Sequence, residues 1–145
     1  MKLIITLLLL IPSLSFSKLI SIKEYVNKTI NFNAKEVLYL DIRCFALVSY
    51  LTTDSLNSEL IEEHEDMKGI FAFYGIKTRQ ELVPFESEDD SISYFTKEVR
   101  GVVDEMLFDA EQMFIETGQV YEKSLKDDYA MCKQAYNQLK TTRSL

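Results

Sequence analysis

Apolar residues recur along this chain at intervals of three and four, the spacing of one face of an α-helix, in four separate stretches. The longest follows Ser91, where Ile92, Phe95, Val99, Val102, Met106, Ala110 and Met113 trace one stripe. It predicts a helix over about 91 to 117 that ends near Gly118 or passes through it. Val37, Leu40, Cys44, Val48 and Leu51 predict a second helix over about 34 to 53, and Asn33 and Glu36 stand at capping-box spacing before it. Leu38, Ile42, Phe45 and Leu47 widen its apolar face, so burial on more than one side is expected. Leu60, His64, Met67, Phe71 and Tyr74 share a face of a helix over about 57 to 74, capped by Asn57 or Ser58 and acidic at its positive end. Gly75 either ends that helix or only loosens it, since Lys77 to Leu82 could continue it before Pro84 stops the segment. Leu125, Tyr129, Cys132, Tyr136 and Leu139 predict a last helix over about 125 to 140, with Ser124 as its cap. Residues 19 to 32 read either as a short amphipathic helix starting after Ser21 or as a docked arm.

Four amphipathic helices joined by short acidic turns predict an all-α, antiparallel four-to-five-helix bundle. With only 4 Gly and 2 Pro in 145 residues, turn-rich sandwiches and barrels have little support. No repeat or linker interrupts the pattern, so residues 18 to 145 form a single domain.

The first seventeen residues differ from the rest. Lys2 precedes an apolar run from Leu3 to Ile11, then Pro12 and the small residues around Ser15 and Ser17, which is the organisation of a cleaved signal peptide. The run is far short of the about 20 apolar residues a transmembrane helix needs. The mature chain is expected to begin near Lys18, to carry no membrane span, and to be secreted or periplasmic. In an oxidising compartment its two cysteines, Cys44 and Cys132, have one intramolecular pairing. Both lie mid-way along their helices, and in up-down-up-down order those two helices are neighbours, so a structural disulfide is expected to staple them.

Charge and residue counts narrow the chemistry. The formal charge of -7 makes nucleic acid a poor partner. A single histidine, His64, is too few for Glu-x-x-His di-iron motifs or a clustered zinc site, and no Cys-x-x-Cys-His haem motif occurs. No metal or cofactor is therefore expected. No Gly-x-Ser-x-Gly elbow accompanies His64, which leaves no catalytic residue to assign; His64 reads as a histidine at the edge of a helical core, with a pH-sensitive role as the functional alternative. The acidic runs at Glu59 to Asp66 and Glu86 to Asp90 read as solvated faces and helix starts, without the spacing of a calcium loop. Asn27-Lys28-Thr29 has the form of a glycosylation sequon.

Phe71, Phe73, Tyr74 and Ile76 follow one another too closely to occupy one helical face, so part of this cluster should point outward. It is a candidate partner-binding patch, unless the Pro84 loop or the N-terminal arm covers it.

Arg43-Cys44-Phe45-Ala46-Leu47, with Tyr39 before it and Cys132 and Tyr136 downstream, resembles small exported helical two-cysteine proteins of marine bacteria and their phages. More distantly the chain is similar to periplasmic helical immunity proteins that neutralise toxins. The first resemblance implies export and the disulfide, and no activity. Together these readings predict a non-catalytic module that binds another exported or envelope protein as an inhibitor, immunity or chaperone-like factor. The competing expectations are a carrier of a small apolar ligand between helices and a small hydrolase using His64.

Overall fold

The computed structural model describes residues 19–52, 57–119 and 123–143; the leader expected over 1 to 17 lies outside them. Five helices follow in order: α1 (Ile22–Lys28), α2 (Ala34–Thr52), α3 (Ser58–Leu82), α4 (Glu88–Thr117) and α5 (Lys123–Arg143).

Side-chain oxygens take the first amides of most of them. Ser21 Oγ accepts from Glu24 N at 3.1 Å and begins α1, so the N-terminal segment is a short helix as well as an arm. Asn33 Oδ1 accepts from Lys35 N at 2.8 Å while the Glu36 carboxylate accepts from Asn33 N at 3.2 Å, the reciprocal capping box expected before α2. Asn57 opens α3. Ser87 opens α4 with Glu88, Asp89 and Asp90 in its first turn, slightly earlier than the apolar stripe indicates, because the acidic residues favour the positive end of the helix dipole. Gly118, at φ 71°, closes α4 in the left-handed conformation and donates to Phe114 O at 2.9 Å. Ser124, expected as a cap, lies inside the first turn of α5.

α3 continues through Gly75 to Leu82. In its last turn Arg79 donates twice to the Glu86 carboxylate, at 2.7 Å from Nε and 2.7 Å from Nη2, and lays its guanidinium 3.9 Å from the centre of the Tyr94 ring. Ser91 Oγ adds a third bond to Glu86 at 2.9 Å. These contacts fix the reversal from α3 into α4 around Pro84.

Contacts give the helix directions. Thr52 meets His64 and Asp41 lies beside Gly75, so α2 and α3 are antiparallel. His64 meets Tyr129 and Tyr74 reaches Leu139 O, so α5 runs parallel to α3. α2 and α3 form the central pair, with α4 packed on both from one side and α5 on both from the other. The Cys44–Cys132 disulfide joins α2 to α5 across 88 residues, with Cα atoms 5.4 Å apart, as expected. Among the described residues α4 and α5 share no comparable packing. The bundle is thus a rhombus with α2 and α3 on its short diagonal, rather than a square in which each helix packs on the next.

The core has two parts. Cys44, Leu47, Val48, Met67, Phe71 and Cys132 centre the larger one around the disulfide, and Leu38, Ile42, Ala46, Phe95 and Val99 fill the smaller one between α2 and α4. α2 contributes to both, in keeping with its wide apolar face. No helix among the described residues is long and apolar enough to cross a membrane.

Candidate functional site

His64, the one histidine, is buried at 3% exposure. Thr52 Oγ1 gives its single proton to Val48 O at 2.6 Å, so it accepts from His64 Nδ1 at 3.1 Å. The neutral ring then receives the Tyr129 hydroxyl proton at Nε2, also at 3.1 Å. Burial, together with the Lys68 and Lys133 charges, lowers its pKa against the opposing pull of Glu63 and Glu65. Both ring nitrogens are thus engaged by hydroxyls of neighbouring helices.

The Phe71 to Ile76 cluster divides between inside and outside. Phe71 is in the core at 1% exposure, Tyr74 and Ile76 are half-buried against it, and Phe73 is 48% exposed with its ring edge-on to Tyr74. Half-burial of Tyr74 and Ile76 leaves Phe73 as the most outward of the four, too little on its own for a continuous patch. Asn27 of the sequon is exposed.

A cavity of about 360 Å³ opens where α4 and α5 fail to close over α2. Arg43 and Tyr50 of α2, Met106, Asp109, Ala110 and Met113 of α4, and Ser124, Leu125 and Asp128 of α5 line it. Its remaining wall is the N-terminal arm, Leu19, Ile20, Ser21 and Glu24.

Charged side chains from three helices hold that arm. Asp109 on α4 accepts from Leu19 N at 3.2 Å. Arg43 on α2 donates from Nη2 to Ile20 O at 2.9 Å and from Nη1 to the Tyr39 hydroxyl at 2.8 Å. Asp128 on α5 accepts from Ile22 N at 2.8 Å and from Lys23 N at 3.3 Å, capping α1 from outside the helix. Arg43 Nη2 and Asp128 Oδ2 stand 4.0 Å apart, both side chains almost fully buried. Burial pushes the Asp128 carboxyl up, against the two amide bonds and the Arg43 charge, which favour the ionised form. Arg43 Nε is enclosed without a hydrogen-bond partner.

A second buried carboxylate lies at the opposite core. Asp41 is 5% exposed between α2, α3 and α4, and its Oδ2 has no partner. Burial alone raises its pKa to about 7.

None of Asp41, Asp109 or Asp128 was legible as a site residue, and Arg43 stood out only within the short run around Cys44. Asp41 and Arg43 did carry one signal: both interrupt the wide apolar face of their helix, where a charge must find a buried partner or shift its protonation. Among the described residues no group of three or more His, Cys, Asp or Glu could hold a metal ion.

The outer side of the last turns of α4 faces away from the core, while Met106 and Ala110 of the same stretch pack on it. Leu107, Phe114 and Ile115 are 52%, 56% and 69% exposed. From Gly101 to Thr117 the helix carries Asp104, Glu105, Asp109, Glu111 and Glu116 and no Lys or Arg. Compared with protein-family models, with curated proteins and with solved structures, the chain matches none of them.

Proposed function

We propose that this chain is an exported, non-catalytic protein-binding module, of the inhibitor, immunity or chaperone-like kind, and that its contact face is the outer side of α4 after Gly101. The observation that carries this reading is the exposed apolar trio Leu107, Phe114 and Ile115 set among carboxylates at the wrong end of a helix. A helix C-terminus is a partial negative charge, and basic residues there are stabilising. α4 has none in its last turn, and Glu111 and Glu116 stand near that end instead. Such a pattern costs stability in isolation and is relieved by a partner that brings positive charge. The partner that fits is an apolar surface rimmed with Lys or Arg on another exported or envelope protein. A disulfide through the core and a leader-like segment before Lys18 support export.

The test uses a labelled amphipathic helix of Leu and Lys, its Leu and Glu counterpart, and the oxidised protein, with fluorescence anisotropy as the readout. The cationic peptide is expected to bind and the acidic one not. Leu107→Gln with Phe114→Gln should weaken binding at least tenfold, because both side chains are more than half exposed and contribute little to the fold. Equal binding of the two peptides, or binding indifferent to the double substitution, would remove α4 as the contact face.

A further inference from the structure

We infer that the cavity beneath the N-terminal arm is a second, separate binding site, and that it takes a single-chain amphiphile with a cationic head. The cavity lies where α4 and α5 flank the α2/α3 pair without comparable packing on one another among the described residues, and the arm crosses between them. At about 360 Å³ it falls within the range of small-molecule sites.

Its walls suit a flexible apolar chain. Leu19, Met106, Ala110, Met113 and Leu125 supply hydrocarbon and thioether surface, and the two methionines are unbranched side chains that adapt to an irregular guest. The polar groups of the lining choose the head. Glu24 is exposed, which places it where the cavity meets solvent, and Asp109 and Asp128 stand in the same lining. Against these three carboxylates there is one guanidinium, and its side chain is almost fully buried beside Asp128. Arg43 Nη1 and Nη2 donate to Tyr39 and Ile20, and Nε is buried. Lys28 pairs with Glu24 across one helical turn and Arg43 stands beside Asp128, so the net negative charge of the lining rests on Asp109. Asp109 spends one acceptor position on Leu19 N and retains others. A carboxylate or phosphate head would face the like charge of Asp109, whereas an ammonium would meet an acceptor there. The overall charge of -7 draws cations toward the protein in addition.

Decylammonium, decanol and decanoate, all below their micellar concentrations, separate the chain from the head. The oxidised protein is titrated with each by calorimetry, while the methyl resonances of Met106 and Met113 report where the chain sits. Decylammonium is expected to bind at least tenfold more tightly than decanoate and more tightly than decanol, and to shift both methionine methyls. Ala110→Phe, which fills the cavity from α4, should weaken decylammonium at least tenfold. If that variant folds poorly, the methyl shifts of the unsubstituted protein still decide the location. Absence of saturable binding, methyl shifts confined to other methionines, or decanol or decanoate binding as tightly as decylammonium would each overturn the assignment.

Discussion

Gly75 passes so closely beneath Phe95 that a Cβ at this position would stand 2.3 Å from Cε2 and 2.9 Å from Cδ2 of the ring. On its other side the same Cβ would be 3.3 Å from Cβ of Asp41. α3 therefore keeps a residue that weakens helices, in the middle of a helix, because two neighbouring helices close on it there. Gly75→Ala is expected to destabilise the fold by about 1–3 kcal/mol through overpacking, which outweighs the gain of up to about 1 kcal/mol in helix propensity. Gly69, six residues earlier on the same helix, has open space around it, so Gly69→Ala should stabilise by about 0.5–1 kcal/mol. Urea unfolding of the two variants side by side decides the matter: equal shifts of the same sign would show that the Phe95 contact imposes nothing.

Asp41 makes stability depend on pH in an uncommon direction. Its folded pKa is raised to about 7 from an ordinary 3.8 by burial, so the folded state holds a proton that the unfolded state has released. The stabilisation associated with that proton is complete below about pH 4, declines as pH rises towards 7, and is gone above it; the whole span is of the order of 4 kcal/mol. Two other groups titrate alongside it. Asp128, also raised by burial, acts in the same sense, and His64, lowered by burial, acts in the opposite sense and costs stability as pH falls below 6.5. The difference between the protein and Asp41→Asn isolates the first contribution. Asp41→Asn should gain on the unsubstituted protein as pH rises from 4 to 8, measured by urea unfolding at each pH, and a constant difference across that range would show that Asp41 titrates normally.

The disulfide is expected to carry much of the net stability. It closes a loop of 88 residues, for which chain entropy alone gives about 4.6 kcal/mol, and removal of such bridges from small domains costs about 2–5 kcal/mol. Cys132 is fully enclosed and Cys44 nearly so, so a thiol reductant reaches the bridge only when the bundle opens. Dithiothreitol should leave the native protein oxidised for far longer than the urea-unfolded one, by thiol labelling and mass. Once reduced, the protein should unfold at markedly lower urea. Rapid reduction under native conditions would mean that α2 and α5 separate readily.

Local sequence carried the helices and the disulfide but not the gap between helices. The capping box at Asn33 and Glu36, the helix start after Ser21 and the pairing of Cys44 with Cys132 all follow from spacing along the chain or from the order of amphipathic stripes. The stripe from Ile92 to Met113 likewise locates α4, although Ile92 at its start is 40% exposed while Phe95, Val99 and Met106 are buried. A stripe describes a face and says nothing about how far the neighbouring helix extends. What lies between helices was not legible. Square packing would have sealed α4 on α5, and the rhombus that leaves the cavity depends on which pairs of faces fit best, a property of shape rather than period. The buried carboxylate of Asp128 meets amides more than a hundred positions earlier, at Ile22 and Lys23, and no local pattern encodes a tie of that span. The aromatic run at Phe71 to Ile76 shows the converse: its crowding required some outward rings, and Phe73 is one, yet crowding could not tell that Tyr74 and Ile76 would be partly covered.

The tie between Asp128 and α1 gives the last prediction. α1 spans seven residues, too short to hold its shape in water without help, so its order depends on docking. The docking rests on Asp128, whose oxygens take the first amides of the helix, and on Arg43, which holds the carbonyl of Ile20 just before it. Removing the carboxylate with Asp128→Ala leaves those amides unpaired and the Arg43 guanidinium buried beside no charge, a loss of about 3 kcal/mol on the scale of broken buried pairs. The loss should be local at first, because α1 packs on α5 and contributes only Ile22 to the buried core. Hydrogen exchange resolves the two levels. Amides of Ile22 to Thr29 should exchange much faster in Asp128→Ala at denaturant concentrations where α2 and α3 remain protected. A uniform acceleration across all helices would instead make α1 part of the same cooperative unit as the disulfide core, and the arm would then be a wall of the bundle rather than a cover over its cavity.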